Sequence, residues 1–328
     1  MKQLFVDANT LLDFYRYGQD DIEQVGKIIH LIEENELQIF TNRLLQDEVN
    51  RMREAELSRI ISDLRSQSPQ LKAPVFAKSL TEYEAVTDAL KSASDAHGKL
   101  VSKINELVGK HELDADRLIQ KLFEKSVTLD VGESTFQAAF RRNAMNNPPR
   151  KKGDSLSDAL HWEALLNDTR VWDIFIVTRD GDFASDLNPN RVKDFLRTEW
   201  TERKGDYWKT VRLYKSLSSF FKAQFPDIVL SSEAEKAELI SQLYFSSSFQ
   251  ETHDIIAQLK DYKFFTAGQT VRMFEALYSN NQIYWISSDS DIRDFYLSLK
   301  DKSYWVPESM HADIASYLEV DDLFFIPF

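Results

Sequence analysis

The sequence contains no cysteine in its 328 residues. This absence excludes disulfide bonds, zinc sites built on thiolates and cysteine nucleophiles. Long apolar runs are also missing, since none reaches the roughly 18 residues that a membrane-spanning helix needs. The chain begins with a strand-like segment rather than with a charged and then apolar leader. We therefore expect a soluble, cytoplasmic protein that does not enter a membrane.

Composition and charge place the chain among globular proteins. Hydrophobic residues make up 43% and charged residues 28% of the sequence, values that a disordered chain does not show. A net charge of -13 disfavours passive binding to nucleic acid, whose affinity comes from neutralising phosphates. It does not exclude an enzyme that gathers metal ions with carboxylates. Positive charge is local: residues 141–152 contain no acid, and residues 191–215 lean basic.

The first segment with a functional pattern is the apolar run Leu4-Phe5-Val6, which leads into Asp7 and then into a helical pattern. A short apolar run before a helix predicts a strand buried on both faces, as in a parallel α/β sheet. Asp7 then stands at the carboxyl end of that strand, where open α/β sheets place their ligands. Two roles stay open for Asp7: a metal ligand, or a helix cap, which Asn9 or Thr10 can equally provide.

Other acids follow the same plan. Helix 22–32 and strand 37–41 complete a βαβ unit, which should be right-handed, and Glu48 follows about two turns into the next helix. Residues 172–178 predict the clearest strand of the chain, and Asp180 and Asp182 come directly after it. Residues 211–214 predict a last strand.

Asp158 is predicted in the first turn of a helix that runs to about residue 166. A carboxylate at this position has a structural alternative, because the helix dipole favours negative charge at the helix start. His161 follows three residues later and can face the same side of the helix, although an ordinary helix contact is the favoured reading.

Two regions lie outside this plan. Residues 51–140 are mostly helical and highly charged, too long for an ordinary crossover, and we expect a helical arm inserted into a domain of residues 1–225. Residues 226–328 predict a mainly helical second domain, with helices near 233–245, 250–260, 268–279, 289–299 and 308–318. Within it, the apolar segments 282–286 and 323–326 can be short strands or parts of the core.

The four acids Asp7, Glu48, Asp158 and Asp180 all fall at one end of the inferred sheet. Carboxylates that converge in one crevice repel each other unless they are protonated or share a cation. Hard oxygen ligands suit Mg²⁺ or Mn²⁺. Such a site fits metal-assisted phosphodiester hydrolysis, in which metal ions activate water and stabilise charge on the leaving oxygen.

Four segments together resemble the PIN-domain nucleases: Val6–Leu12, Leu45–Val49, Gly153–Leu160 and Val177–Phe183. The resemblance covers about residues 1–50 and 140–220, and it extends to a large bacterial subfamily with long insertions. It implies an α/β fold with a Rossmann-like parallel sheet flanked by helices. It also implies that Asp7, Glu48, Asp158 and Asp180 form an acidic quartet and that Asp182 is an extra acid.

The same resemblance assigns Asn9 and Thr178 to orienting the carboxylates. It implies Mg²⁺ or Mn²⁺ as cofactor, single-stranded RNA or structured nucleic acid as substrate, and products with 5′-phosphate and 3′-hydroxyl ends. Positive side chains close to the helix of Asp158 are expected to bring phosphates to the metal; these are Arg142, Arg150, Lys151 and Lys152.

Three readings of function follow. The leading one is a metal-dependent endoribonuclease, with a role as a toxin or anti-phage defence effector that an inhibitory or activating protein partner controls. A structure-specific DNase with the same chemistry is the second. The third is an inactive PIN-fold scaffold that binds partners through the helical arm, although a binding module has no need for four clustered acids. Homo-oligomer formation stays open.

Overall fold

The computed structural model describes residues 1–16, 19–67, 74–150, 156–205 and 208–326. In this part of the chain five parallel strands form one sheet in the order β3-β2-β1-β4-β5. The strands are β1 Lys2–Val6, β2 Leu37–Asn42, β3 Val127–Leu129, β4 Ile174–Val177 and β5 Val211–Tyr214. The expected α/β fold with a parallel sheet is confirmed.

Helices flank the sheet. Those in the first part of the chain are α1 Ala8–Leu12, α2 Gln19–Glu33, α3 Arg43–Ser66, α4 Thr81–Lys110, α5 Asp114–Lys125, α6 Glu133–Ala144, α7 Ser157–Asn167, α8 Asp194–Lys204 and α9 Leu217–Gln224. The central strands are buried on both faces; all four residues of β4 are buried. Burial of this kind explains why these strands read as continuous apolar runs rather than alternating ones.

The register of the sheet sets the position of the site. Val6 of β1 pairs with Val177 of β4, and Val177 in turn pairs with Tyr214 of β5. The residues that follow these three positions therefore leave the sheet at the same edge. Asp7 and Thr178 lie at the same level as a result, and Lys215 is one strand further along.

Only part of the predicted arm of residues 51–140 lies outside the sheet domain. Its protruding part is the second half of α3, where Leu57 and Ile61 are buried, and the long α4, where Val101 is the one buried residue. From α5 onward the chain returns to the domain, because β3 pairs with β2 and extends the sheet by one strand. A buried ion pair joins Arg53 of α3 to Asp116 of α5, with Nε to Oδ1 at 2.6 Å, and fixes the base of the arm.

The remaining helices are α10 Leu230–Tyr244, α11 Phe249–Leu259, α12 Ala267–Ser279, α13 Asn281–Tyr284, α14 Ser290–Ser298 and α15 Glu308–Leu318. They surround a separate apolar core, drawn from residues 240–325. The strand alternative for segments 282–286 and 323–326 is wrong: the first includes α13 and the second lies in a 3₁₀ turn. Part of their apolar side chains fill this core, among them Ile283 and Phe324, while Trp285 and Leu323 are exposed. The division into two domains near residue 225 stays a prediction.

Polar contacts attach the C-terminal helices to α2 and to the loop after it. Arg272 binds Glu34 at 2.9 Å, and Lys302 binds Glu36. Gly268 allows the close approach, since a Cβ atom there would lie 2.4 Å from Glu34 Oε2. Within the described residues, the chain has no helix that is both long and apolar enough to span a membrane.

Glu233 is the most buried acid of this contact. Its carboxylate meets the His30 ring at 3.2 Å, the Lys236 ammonium at 2.6 Å and the Gln269 amide at 2.8 Å. Desolvation opposes the charged form, but the hydrogen bonds from these three side chains outweigh it and lower the pKa of Glu233 to about 2. The contact between the two parts of the chain therefore includes an acid that stays ionised in mild acid.

Candidate metal centre

The candidate site lies at the carboxyl edge of the sheet, where β1 and β4 end. Asp7 follows β1, and its backbone amide donates to the Val177 carbonyl at 3.0 Å. Thr178 follows β4, and its amide donates to the Tyr214 carbonyl of β5 at 3.0 Å. Continuation of the sheet hydrogen bonds past the last strand residues holds both side chains at one level.

A single hydroxyl connects Asp7 with the Asp180 segment. Thr178 Oγ1 donates to Asp7 Oδ2 at 2.9 Å and accepts from the Asp180 amide at 2.9 Å. Asp7 stands at the first capping position of α1, but its side chain makes no capping hydrogen bond. The helix-cap alternative for Asp7 is therefore wrong, and the Thr178 hydroxyl directs the carboxylate toward the crevice.

Three carboxylates converge beside this bridge. One oxygen from each of Asp158, Asp180 and Asp182 lies within 4.8 Å of the other two. Asp158 is buried in the first turn of α7, and the Asp182 amide donates to Asp180 Oδ1 at 3.1 Å. Three negative charges at this spacing repel each other strongly. A divalent cation removes that repulsion, and a set of carboxylate oxygens suits Mg²⁺ or Mn²⁺.

Glu48 lies on α3 and meets His161, which lies one turn after Asp158 on α7; its place beside the three carboxylates stays a prediction. His161 is buried, and its Nε2 atom lies 3.5 Å from Glu48 Oε2. On the other side of the ring, Nδ1 lies 3.0 Å from Asn42 Nδ2. The histidine thus links Asn42, which caps α3, with Glu48, about two turns further along that helix.

The tautomer of His161 follows from the Asn42 amide. Asn42 caps α3, and its Oδ1 accepts from the Leu45 amide at 2.8 Å. The opposite end of the side-chain amide, Nδ2, must then donate to His161 Nδ1. A ring nitrogen that accepts a hydrogen bond carries no proton, so the proton of neutral His161 sits on Nε2 and points to Glu48.

Two cationic side chains, Lys215 and Arg179, are close to the acid cluster, and Lys215 contacts the Asp180 loop. Lys215 Nζ is 3.4 Å from the Asp180 carbonyl oxygen. Desolvation lowers the pKa of the Lys215 ammonium, while the negative charge of Asp180 opposes that shift. Arg179 points instead to Asp13, with which it forms an ion pair.

The predicted phosphate-binding residues do not behave alike. The assignment of Arg142 is wrong: its side chain is buried, ion-paired with Glu163 and Glu199, and donates to the Pro148 carbonyl. An arginine neutralised in this way holds α6, α7 and α8 together and cannot meet a phosphate. Arg150 is exposed and contacts Asn146.

Two other assignments receive no new support. Lys151 and Lys152 lie outside the residues that the structure describes. Asn9 is half-buried on α1, and its role in orienting carboxylates stays a prediction. Sequence reasoning also missed two neighbours of the site, the His161 link to Glu48 and the Lys215 contact with the Asp180 loop. The spacing of His161 from Asp158 was the one signal for the former.

Comparison with known proteins gives one result. A family model described as a PIN domain matches residues 4–183. The match covers more than half of the chain and includes the five acids predicted for the site. Neither the curated proteins nor the solved structures gave a significant match.

Proposed function

We propose, from the premise that the chain belongs to the PIN domain family, that it is a nuclease that hydrolyses phosphodiester bonds in RNA with Mg²⁺ or Mn²⁺. The observation that carries this proposal is the convergence of Asp158, Asp180 and Asp182 at the carboxyl edge of the sheet, with their oxygens within 4.8 Å of one another. A toxin or defence role, and control by a protein partner, rest on the sequence resemblance and stay hypotheses.

Asp158, Asp180 and Asp182 would hold the metal ion, and Asp7 and Glu48 would complete its surroundings. The ion, when bound, supplies an activated water and positive charge for the phosphate oxygens. The remaining work falls to this chain's own side chains. Thr178 holds the Asp7 carboxylate in place by its 2.9 Å hydrogen bond, so that little reorganisation is needed when the substrate binds.

His161 orients Glu48, as Thr178 orients Asp7. Its Nε2 proton points to the Glu48 carboxylate, and its ring packs against Phe5 with the centroids 5.5 Å apart. The Phe5 contact holds the His161 ring, and the ring in turn holds the Glu48 side chain, which comes from a helix rather than from a strand end. The ammonium of Lys215, next to the Asp180 loop, lies where it can meet a phosphate oxygen beside the acid cluster.

The direct test is cleavage of labelled single-stranded RNA, single-stranded DNA and duplexes with Mg²⁺, Mn²⁺ or EDTA. Wild-type protein should cleave RNA only with a metal ion and leave 5′-phosphate ends. Asp7→Asn should abolish cleavage, because it removes a charged group while keeping the shape of the side chain. The matched control is Asp186→Asn, since Asp186 is exposed on a loop and pairs only at the surface with Lys193.

Metal binding gives a second readout. Mn²⁺ should raise the melting temperature of the wild type, because an ion that binds only the folded state stabilises that state. The shift should shrink in Asp7→Asn and persist in Asp186→Asn. Cleavage in EDTA would contradict the proposed chemistry, and cleavage of DNA alone would identify a DNase. Metal binding without any cleavage would favour the scaffold reading.

A further inference from the structure

The outer edge of the sheet carries an open groove that shares only Lys215 with the residues assigned above. The groove has a volume of about 600 Å³ and runs beside β5, between the start of α9 and the segment that leads into α8. Its charged lining consists of Arg191, Arg197, Arg212 and Lys215. None of the described residues that line it is acidic, although the whole chain has a net charge of -13.

These cations are available for an anionic ligand. Arg191 and Arg212 are exposed, and the Arg212 guanidinium lies over the Phe175 ring at 5.3 Å, a contact that leaves its N–H groups in place to donate. Arg197 pairs with Asp194 at 2.8 Å, but both side chains are more than half exposed. A surface ion pair of this kind contributes little stability, so a phosphate can replace the carboxylate.

The groove leads to the acid cluster. Lys215 ends its β5 side, and the same ammonium contacts the Asp180 carbonyl at 3.4 Å. Along β5, residues Val211 to Lys215 span about 13 Å, taking roughly 3.3 Å per residue. An extended polyanion lying beside this strand would therefore reach the metal centre at its end.

A second cavity of about 690 Å³ continues the groove away from the site, and the two share Arg197 and Val211. Lys209 and one acid, Glu202, line this second cavity, and the residue before Lys209, Trp208, is 87% exposed. Cationic side chains interleaved with an exposed aromatic ring are typical of proteins that bind single strands, because unpaired bases stack on the ring while the backbone follows the positive charges.

We infer that the β5 edge is the track that delivers a single-stranded nucleic acid to the carboxylate cluster, with the three arginines on its phosphates and Trp208 against a base. This inference rests on the proposed nuclease function but concerns a different set of residues. The competing occupant is a strand from another protein chain, since β5 is an open sheet edge. The charges disfavour it, because lysine and arginine on an edge strand oppose strand pairing.

The test compares two triple variants of the full chain. The groove variant carries Arg191→Ala, Arg197→Ala and Arg212→Gln. The control variant carries Arg59→Ala, Arg65→Ala and Arg117→Ala; these arginines are exposed on α3 and α5. Both variants lose three positive charges, so a change in net charge alone affects them equally. Lys215 is left intact because it contacts the Asp180 loop.

Binding is measured in EDTA, without cleavage, by the anisotropy of fluorescein-labelled oligouridylate and oligothymidylate at several salt concentrations. For the groove variant we expect weaker binding and a salt slope lower by about 2, at roughly 0.7 for each lost phosphate contact. The control variant should keep the wild-type slope. Trp208→Ala should lower the affinity roughly tenfold without changing the slope, because stacking is not ionic.

The outcomes separate the groove from the nuclease assignment. If wild-type protein does not cleave but only the groove variant loses salt-dependent binding, the track stands and the catalytic proposal fails. If wild-type protein cleaves and both variants bind with the wild-type slope, the track is overturned and the nuclease stands. A groove variant that binds normally but changes its oligomeric state in light scattering would show that the β5 edge takes a protein strand, which also overturns the inference.

Discussion

Replacement of Thr178 by valine tests whether the site depends on the bridge between Asp7 and Asp180. The Thr178 side chain is fully buried, and its hydroxyl both donates to Asp7 Oδ2 and accepts from the Asp180 amide, each at 2.9 Å. Valine keeps the shape of threonine and removes both hydrogen bonds. The Asp7 carboxylate then loses a donor in a buried position, and the Asp180 amide loses an acceptor.

The expected magnitude follows from the two contacts. A hydrogen bond to a charged group contributes about 1.5–3 kcal/mol and a neutral one about 0.5–1.5 kcal/mol. The free energy of unfolding of metal-free protein should therefore fall by roughly 2–4 kcal/mol in Thr178→Val. The increase in melting temperature on adding Mn²⁺ should also shrink, since the Asp7 carboxylate is no longer held in the orientation that a cation needs.

Two matched variants complete the assay, which uses urea denaturation and melting curves with and without Mn²⁺. Thr178→Ser keeps the hydroxyl and should recover most of the stability and of the metal response. Thr10→Val removes another buried hydroxyl, one with no hydrogen-bond partner among the described residues, and should be neutral or stabilising. A Thr178→Val protein with wild-type metal response and cleavage would refute the orienting role of this hydroxyl.

Three further changes have defined outcomes. His161→Gln can still offer an N–H to Glu48 and should retain part of the Mn²⁺-induced melting shift, whereas His161→Asn is too short and should lose more of it; equal responses would argue against the positioning role. The folded-state pKa of Glu233 is lowered to about 2, so its contribution, on the order of 3 kcal/mol, should be present above about pH 4.5 and lost as the pH falls toward 2. Urea denaturation at about pH 6 and at about pH 3 should show that acidification lowers the free energy of unfolding less in Glu233→Gln than in the wild type. Alanine at all three residues of 150–152 should lower the salt slope of oligonucleotide binding by about 0.7 for each contact removed, and an unchanged slope would exclude this loop from the substrate path.

The sheet could be predicted where its strands are buried on both faces. Residues 4–6, 37–41 and 174–177 are nearly continuous apolar runs, and this pattern follows from helices covering both sides of a parallel sheet. Strand β3 could not be found in the same way. It has only three residues, lies at the sheet edge and has one buried side chain, Leu129. Pairing with β2 defines it, and the sequence of β3 alone does not encode that partner.

The fate of charged residues was harder to predict than the fate of apolar ones. Arg142 belongs to a stretch without acids between residues 141 and 152, and local sequence therefore favoured an exposed, phosphate-binding role. Its neutralising partners are Glu163 and Glu199, which lie on two other helices. A local charge pattern describes the surface of a chain only when no distant acid reaches it. Arg191 and Arg212, by contrast, remain exposed.

The Asn42 helix cap influences Glu48 through the His161 ring. Asn42 caps α3, and a cap requires its side-chain oxygen to face the Leu45 amide. That requirement turns Nδ2 toward His161 and fixes the proton of the ring on Nε2, facing Glu48. Sequence alone could supply the cap and the helical position of the glutamate. Only the packing of α7 against α3 makes the cap determine which way the Glu48 carboxylate is held.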